Sequence, residues 1–372
     1  MTELSLPGTE IARLFHAETV APLLARQFPR LRYAAARLGS GSDVLGLDDG
    51  RSRDHDWGCR LTLLVDEPDA GAVPEITGML ERDLPETFRG FPVRFGVTWD
   101  RAATHKAEVA TVGGFAASRL GVSGGAGASA AAAHAAAPGD WSSLDWLTLT
   151  GQGALELTAG PVFADTTDAL APLRSALAWY PPEVERCVIA AGWSRIGSEL
   201  PFLGRTAVRG DDLGSRVISA RMADTLMHLA FLTERRWMPY RKWRGTAFAP
   251  LPLAALMTER LAVAVTAPAW KDREDALAAA AGEVLAAQRA RGLPVTDTAT
   301  VPFWDRPYRT VPGELPARLL KGIADPWLAS LPAEMGSLEQ WADSHEILAR
   351  PHRRAALQAA YRALAAAEET AR

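Results

Sequence analysis

Residues 37–65 read RLGSGSDVLGLDDGRSRDHDWGCRLTLLV. The apolar run CRLTLLV has the look of a buried strand bounded by Pro68, and the run before the stretch, RLRYAAARLG, reads as a short strand ending at Gly39. Between them stand a Gly-Ser turn, a polar loop and an Asp-His-Asp triplet, which burial alone does not require. Side chains alternate across a strand, so Asp54 and Asp56 at i and i+2 face one way and His55 the other. Two carboxylates on one face repel unless a cation sits between them, and a hard divalent ion such as Mg²⁺ or Mn²⁺ prefers oxygen ligands. Ser42 lies twelve positions before Asp54. A Gly-Ser turn leaving a strand offers backbone N–H groups and a hydroxyl to phosphate oxygens, and Gly46 lets the chain turn without side-chain obstruction.

Outward from this stretch, Ile11, Leu14, Phe15, Val20, Leu23, Leu24 and Phe28 recur at helical spacing over residues 8–28. On the other side follow a helix, VPEITGMLERDLPETF, and two strand-like runs, PVRFGVTW and KAEVATV. Helix, strand, turn, strand, helix, strand, strand predicts a small mixed sheet with flanking helices. Residues 121–139, GVSGGAGASAAAAHAAAPG, hold almost nothing but small side chains and read as a flexible connector. Beyond it the pattern is helical nearly throughout, punctuated by Pro181-Pro182, Gly204, Gly210 and Pro250. The expected class is α+β: a mixed-sheet domain over 1–120, the connector 121–139, and a mainly α-helical domain over 140–372.

The 372 residues suffice for two domains, and 48% hydrophobic with 23% charged residues is a globular composition. A net charge of -4 and a pI near 6.0 argue against a partner held by bulk attraction to nucleic acid. Two cysteines, Cys59 and Cys187, are too few for a disulfide scaffold or a cysteine zinc site. Glu3, Glu10 and Glu18 interrupt the N-terminal region, which does not read as a signal peptide, and no apolar run approaches a membrane span. A cytoplasmic protein without a membrane partner is expected.

The elements GSGSDVLG and RDHDW resemble the signature of the nucleotidyltransferase (DNA polymerase β-like) superfamily. The resemblance gives Gly41 and Ser42 the places of its Gly-Ser pair, Gly46 that of the following glycine, and Asp54 and Asp56 those of the metal-binding aspartates. It also implies a third carboxylate on a later strand, for which Glu108 in KAEVATV is the candidate. Arg53 departs from the pattern, standing where a small residue is common, in reach of a phosphate or capping the loop. GSGSDVLGLDD, SRDHDWG, ELTAGPVF, LAWYPPEV and the long run from Asp211 to Phe248 are similar to a bacterial family, the domain of unknown function 4037. The function so implied is Mg²⁺-dependent transfer of a nucleoside monophosphate from a nucleoside triphosphate, ATP first, to a hydroxyl of a small molecule or protein, with release of pyrophosphate. Asp54, Asp56 and Glu108 would be catalytic and metal-binding; Gly41, Ser42, Gly46, Arg53 and Lys242 would bind nucleotide. The competing expectation is a non-catalytic nucleotide- or partner-binding module on the same fold.

Other signals read as structure. Asp48 and Asp49 make a turn, and the seven histidines form no zinc spacing. ERRWMPYRKWRGTAF, residues 234–248, joins five cations to Trp237, Tyr240 and Trp243. Such a mix stacks bases and pairs phosphates, or it ends a helix with arginines on carbonyls and aromatics in the core. The second role is the expected one, with Lys242 the residue to test. Asp211-Asp212 reads as a helix N-cap and the alanine-rich tail as a packed helix.

Overall fold

The computed structural model describes residues 6–53, 57–98, 100–122 and 128–371. The chain forms two compact units, Met1–Trp141 with Gly153–Ala178, and Ser142–Gln152 with Trp179–Arg372.

The first unit is a five-stranded mixed sheet with helices on both faces. In chain order it contains α1 (Gly8–Phe15), a π-helical turn (His16–Val20), α2 (Ala21–Gln27), β1 (Ala34–Ala36), β2 (Arg60–Val65) and α3 (Ala72–Asp83). A hairpin of β3 (Thr87–Phe88) and β4 (Phe91–Pro92) follows, then β5 (Arg94–Val97), β6 (Asp100–Thr111), α4 (Val112–Leu120) and α5 (Ala128–Ala135). The sheet order is β5-β6-β2-β1 and then β7 (Val162–Asp165). β1 runs antiparallel to both β2 and β7, whereas β2 and β6 are parallel. Pro22 stands at the head of α2. Proline cannot donate to the preceding turn, and the predicted single helix over 8–28 is accordingly two α segments joined by a π turn.

The alternation of β2 decides which face holds what. Leu61, Leu63 and Val65 pack with Ala107, Ile11, Phe15, Leu24, Ile76, Met79 and Leu80 in one core. Thr62 and Leu64 point to the other face, where the parallel register sets Glu108 beside Thr62 and Ala110 beside Leu64. Phe115, Ala116 and Leu120 of α4 are buried.

Two expectations about organisation differ from the structure. The alanine run expected to be part of a flexible connector is helical over Ala128–Ala135, as alanine propensity favours. The units also do not divide at 121–139: Gly153–Ala178, expected in the helical domain, belongs to the first unit and gives the sheet its edge strand β7. This strand has four residues and no alternating pattern. Gly160 permits it, because a Cβ there would collide with the carbonyl of Arg37.

The second unit is mainly helical, with one two-stranded pairing of Val301–Pro302 and Arg309–Thr310. After α6 (Ser143–Thr148) come α7 (Gly151–Thr158), which ends in the first unit, and α8 (Leu170–Ala176), also of the first unit. The bundle proper has α9 (Pro182–Ala207), α10 (Asp212–Thr233), α11 (Arg241–Phe248), α12 (Pro252–Thr266) and α13 (Trp270–Ala290). Short segments α14 (Glu314–Leu320), α15 (Pro326–Ser330), α16 (Leu338–Trp341) and α17 (His345–Leu348) lead to α18 (Pro351–Ala371). Asp211 caps α10 through the N–H of Gly214, 2.7 Å away, as expected. Trp193 is fully buried and donates to Gln288, which donates in turn to Thr233. The tail helix packs as expected, Tyr361 being buried and donating its hydroxyl to the carbonyl of Gly336. Among the described residues no single helix is long and apolar enough to cross a membrane.

Candidate functional site

β1 runs out at Ala36 into Arg37, a guanidinium only 2% exposed. Its Nε and Nη2 donate to the two oxygens of Asp43 at 2.7 and 2.8 Å, its Nη1 to the carbonyl of Leu38 and its Nη2 also to the carbonyl of Ser40. One buried side chain therefore staples the turn from Leu38 to Asp43. A buried ion pair is expensive to desolvate and holds only when its geometry is good and its remaining donors are satisfied; here the fork is bidentate and two carbonyls take further N–H groups. Gly41 sits inside the staple at φ +147°, where a Cβ would collide with Asp43 and Arg37. Only glycine fits there, for space and for backbone alike.

The turn leaves donors open. Among the described residues, the N–H groups of Ser40, Gly41 and Ser42 donate no hydrogen bond, although the N–H of Gly39 is taken by the carbonyl of Glu156 at 2.7 Å. Three successive amides without partners are donors that an anion can take up. The hydroxyl of Ser42 donates to the carbonyl of Ser52 at 3.3 Å, tying the turn to the loop ahead of Arg53. Gly46 closes that loop at φ +70°, its N–H donating to the carbonyl of Asp43.

Asp54, His55 and Asp56 lie outside the described residues, but both flanks are described. Arg53 donates to the carbonyl of Asp48 and lies 4.8 Å from the centre of the Trp57 ring. Asp48 itself, read as a plain turn residue, is an anchor: its carboxylate accepts from the Gly8 N–H at 2.7 Å and the Trp57 indole at 3.0 Å, and it is 8% exposed. A carboxylate at the first N–H of α1 also meets the positive end of the helix. Asp49 does make the expected turn. The Ser52 and Arg51 N–H groups bond its carboxylate and hold its pKa below the usual range.

Glu108 stands in mid-β6 on the Thr62 face. Both its oxygens accept from Arg119 Nη2, at 2.9 and 2.7 Å, and Arg119 Nε lies 3.3 Å from Glu156. The guanidinium also lies 4.6 Å from the Phe115 ring. The donors expected for a metal are all carboxylate oxygens, which is the chemistry a hard cation takes. Glu108 is the described member of that set, and it is 44% exposed with a positive charge already on it. It has the chemistry of a ligand, and in this arrangement a guanidinium takes the cation's place. Among the described residues no three His, Cys, Asp or Glu side chains gather as a metal site.

Lys242 is exposed on α11 in the second unit, its ammonium 4.9 Å from the Trp243 ring. Its segment is otherwise engaged in structure. Trp237 is buried against Trp179 and Tyr180, with ring centres 4.7 and 4.5 Å away, and Arg235 forms a bidentate pair with Glu185. Burial works against the charge of Glu185, but hydrogen bonds from Arg235, Arg291 and Trp179 outweigh it and hold its pKa below the usual value. In the same unit Glu339 is buried, accepting from the N–H of Gly151 and standing 3.7 Å from His228.

Residues 146–244 match the model of a family described as a domain of unknown function, DUF4037. The match starts within α6 and ends at Arg244, so the Gly-Ser turn lies outside it. No curated protein and no solved structure matches the chain.

Proposed function

We propose that the chain is a Mg²⁺-dependent nucleotidyltransferase. The observation that carries this reading is the turn at Ser40–Ser42: three open amides, fixed from behind by Arg37 and Asp43. It lies at the end of a strand whose antiparallel neighbour β2 is preceded in the chain, four residues earlier, by Asp56. In this reading Asp54 and Asp56 hold Mg²⁺, with Glu108 as the third carboxylate. The bound ion supplies charge neutralisation on the phosphates. The Ser40–Ser42 amides receive the β- and γ-phosphate oxygens and hold them as pyrophosphate departs. A hydroxyl of the acceptor replaces pyrophosphate at the α-phosphorus. Electrostatic holding of the leaving group by preorganised donors is the contribution this chain makes through its own backbone. The acceptor is a small hydroxylated molecule or a protein side chain, in keeping with the acidic chain.

The test is thermal stabilisation by each nucleoside triphosphate, ATP first, with and without Mg²⁺, in the wild type and in Asp54→Asn/Asp56→Asn. A Mg²⁺-dependent rise of several degrees that the double variant loses supports the reading by linkage. No shift with any triphosphate at millimolar concentration overturns it. The pairing of Glu108 with Arg119 favours a second reading, a nucleotide-binding module without transfer. Nucleotide binding without pyrophosphate release across a set of hydroxylated acceptors would distinguish it.

A further inference from the structure

Two guanidinium groups stand against two glycines of the same turn. A Cβ placed on Gly39 would lie 3.5 Å from Arg119 Nη2, and one on Gly41 would lie 3.4 Å from Arg60 Nη1. Gly39 and Gly41, within the turn that carries the open amides, therefore each stand beside a guanidinium. Arg119 is tied through every nitrogen: Nη1 donates to Ser118 Oγ at 2.6 Å, Nε faces Glu156, and Nη2 bonds both oxygens of Glu108. The nitrogen that faces the turn is thus the same nitrogen that holds Glu108.

This sharing has an electrostatic consequence. Without ligand the half-exposed Glu108 carboxylate and the Arg119 guanidinium neutralise each other. When a divalent cation and a polyphosphate arrive together, each charge meets a stronger partner, carboxylate with metal and guanidinium with phosphate, and the sum of charge on the protein does not change. We propose that Arg119 is an exchangeable counter-ion: it holds Glu108 until a metal-polyphosphate binds, then transfers Nη2 to a phosphate oxygen at the Gly39–Ser42 turn, releasing Glu108 to the metal. The proposal rests on the nucleotidyltransferase reading and deepens it, making Arg119 a positioning residue that couples phosphate binding to metal binding. Glu156 is the second carboxylate on Arg119 and draws on the same positive charge.

The exchange predicts effects of opposite sign, readable by calorimetric titration of the full chain with inorganic tripolyphosphate alone and with Mn²⁺ alone. Without metal, Glu108→Gln frees Arg119 and tightens tripolyphosphate binding about tenfold, whereas Arg119→Gln weakens it about tenfold. With Mn²⁺ alone the order reverses, Arg119→Gln binding tighter than the wild type and Glu108→Gln weaker. Glu156→Gln, which takes the second carboxylate from the guanidinium, also tightens tripolyphosphate, which covers the case in which Glu108→Gln does not fold. Changes of the same sign in Glu108→Gln and Arg119→Gln, or no change in either, overturn the exchange. If the wild type still binds Mg²⁺-ATP and Asp54→Asn/Asp56→Asn does not, the overturning is confined to this inference. If the wild type binds neither Mn²⁺, tripolyphosphate nor Mg²⁺-ATP, the parent reading falls with it.

Discussion

Glu339 Oε1 and His228 Nε2 lie 3.7 Å apart inside the helical unit, each side chain 9% exposed. Burial pushes Glu339 up from 4.5 to about 7, against the pull of Arg244, the Gly151 N–H and Arg354. Burial, with the positive charges of Arg244 and Arg195, pushes His228 down from 6.5 to about 3, against Asp224. Tyr180 and Tyr361 also face Glu339, and its charge raises the pKa of both phenols beyond what burial does. At a pH between 4.5 and 6.5 the unfolded pair holds one proton, on the histidine, and the folded pair holds one proton, on the glutamate. Folding moves the proton without taking up or releasing one.

The single variants expose what the pair cancels. A carboxyl raised on folding adds stability that is full below its unfolded pKa and is lost as pH rises through the folded one. Glu339→Gln removes that contribution and loses stability relative to the wild type as pH falls from 7 to 4.5. A histidine depressed on folding adds stability that is full above its unfolded pKa and is lost as pH falls toward the folded one. His228→Asn removes that loss and gains relative to the wild type as pH falls below 6.5. Each slope integrates to a few kcal/mol, because a tenfold change in proton affinity on folding is worth about 1.4 kcal/mol. Urea melts at half-unit pH steps measure both, and parallel pH profiles for the two variants would contradict this account.

Arg37→Met leaves the Asp43 carboxylate buried without a cation, strips the carbonyl of Ser40 of its donor and leaves that of Leu38 with only the Thr62 hydroxyl. A broken buried pair costs about 3–5 kcal/mol. The same variant unfastens the turn, so tripolyphosphate affinity falls together with stability. Denaturant titration and calorimetry on one preparation check the two effects.

Asp48→Ala removes an acceptor shared by the head of α1 and the Trp57 indole. The expected loss is about 1–2 kcal/mol, as for other helix N-terminal acceptors. Hydrogen exchange gives a local reading: protection at the Gly8 N–H drops, while protection in the α9 and α10 interior is unchanged.

Gly160→Ala puts a methyl group into the carbonyl of Arg37 and pushes β7 from β1. Because Arg37 also donates its own N–H to the carbonyl of Pro161, the displacement reaches the base of the staple. A loss of about 1–3 kcal/mol is expected, measured by thermal melting. An unchanged melting temperature would mean that β7 does not fix Arg37.

The Gly-Ser turn was legible because its chemistry is local: small residues with permissive backbones leave a strand end, and φ is positive at Gly39, Gly41 and Gly46. The long helices α9, α10, α12 and α13 were legible from apolar spacing and from the prolines and glycines between them. What fastens the turn was not. Arg37 and Asp43 are six positions apart on either side of it, and in sequence each looks like an ordinary solvated charge. Glu108 and Arg119 meet only because β6 hands the chain to α4 and the helix doubles back over the sheet. Asp48 lay in a loop whose composition says turn, and only the fold brings α1 to it. β7 was hidden for a related reason: four residues carry no period, and their partner Ala34–Ala36 is as featureless as they are.

The position of β7 in the chain bears on how the protein is made. The first unit closes its sheet with residues that emerge only after the alanine run and α6 have been synthesised, since Ala36 pairs with Val162. Until then β1 presents an unpaired edge, a template for pairing with other chains. A fragment ending at residue 120 keeps that edge for good. Such a fragment is expected to aggregate as it is expressed, and a soluble one would have to run on past Ala178.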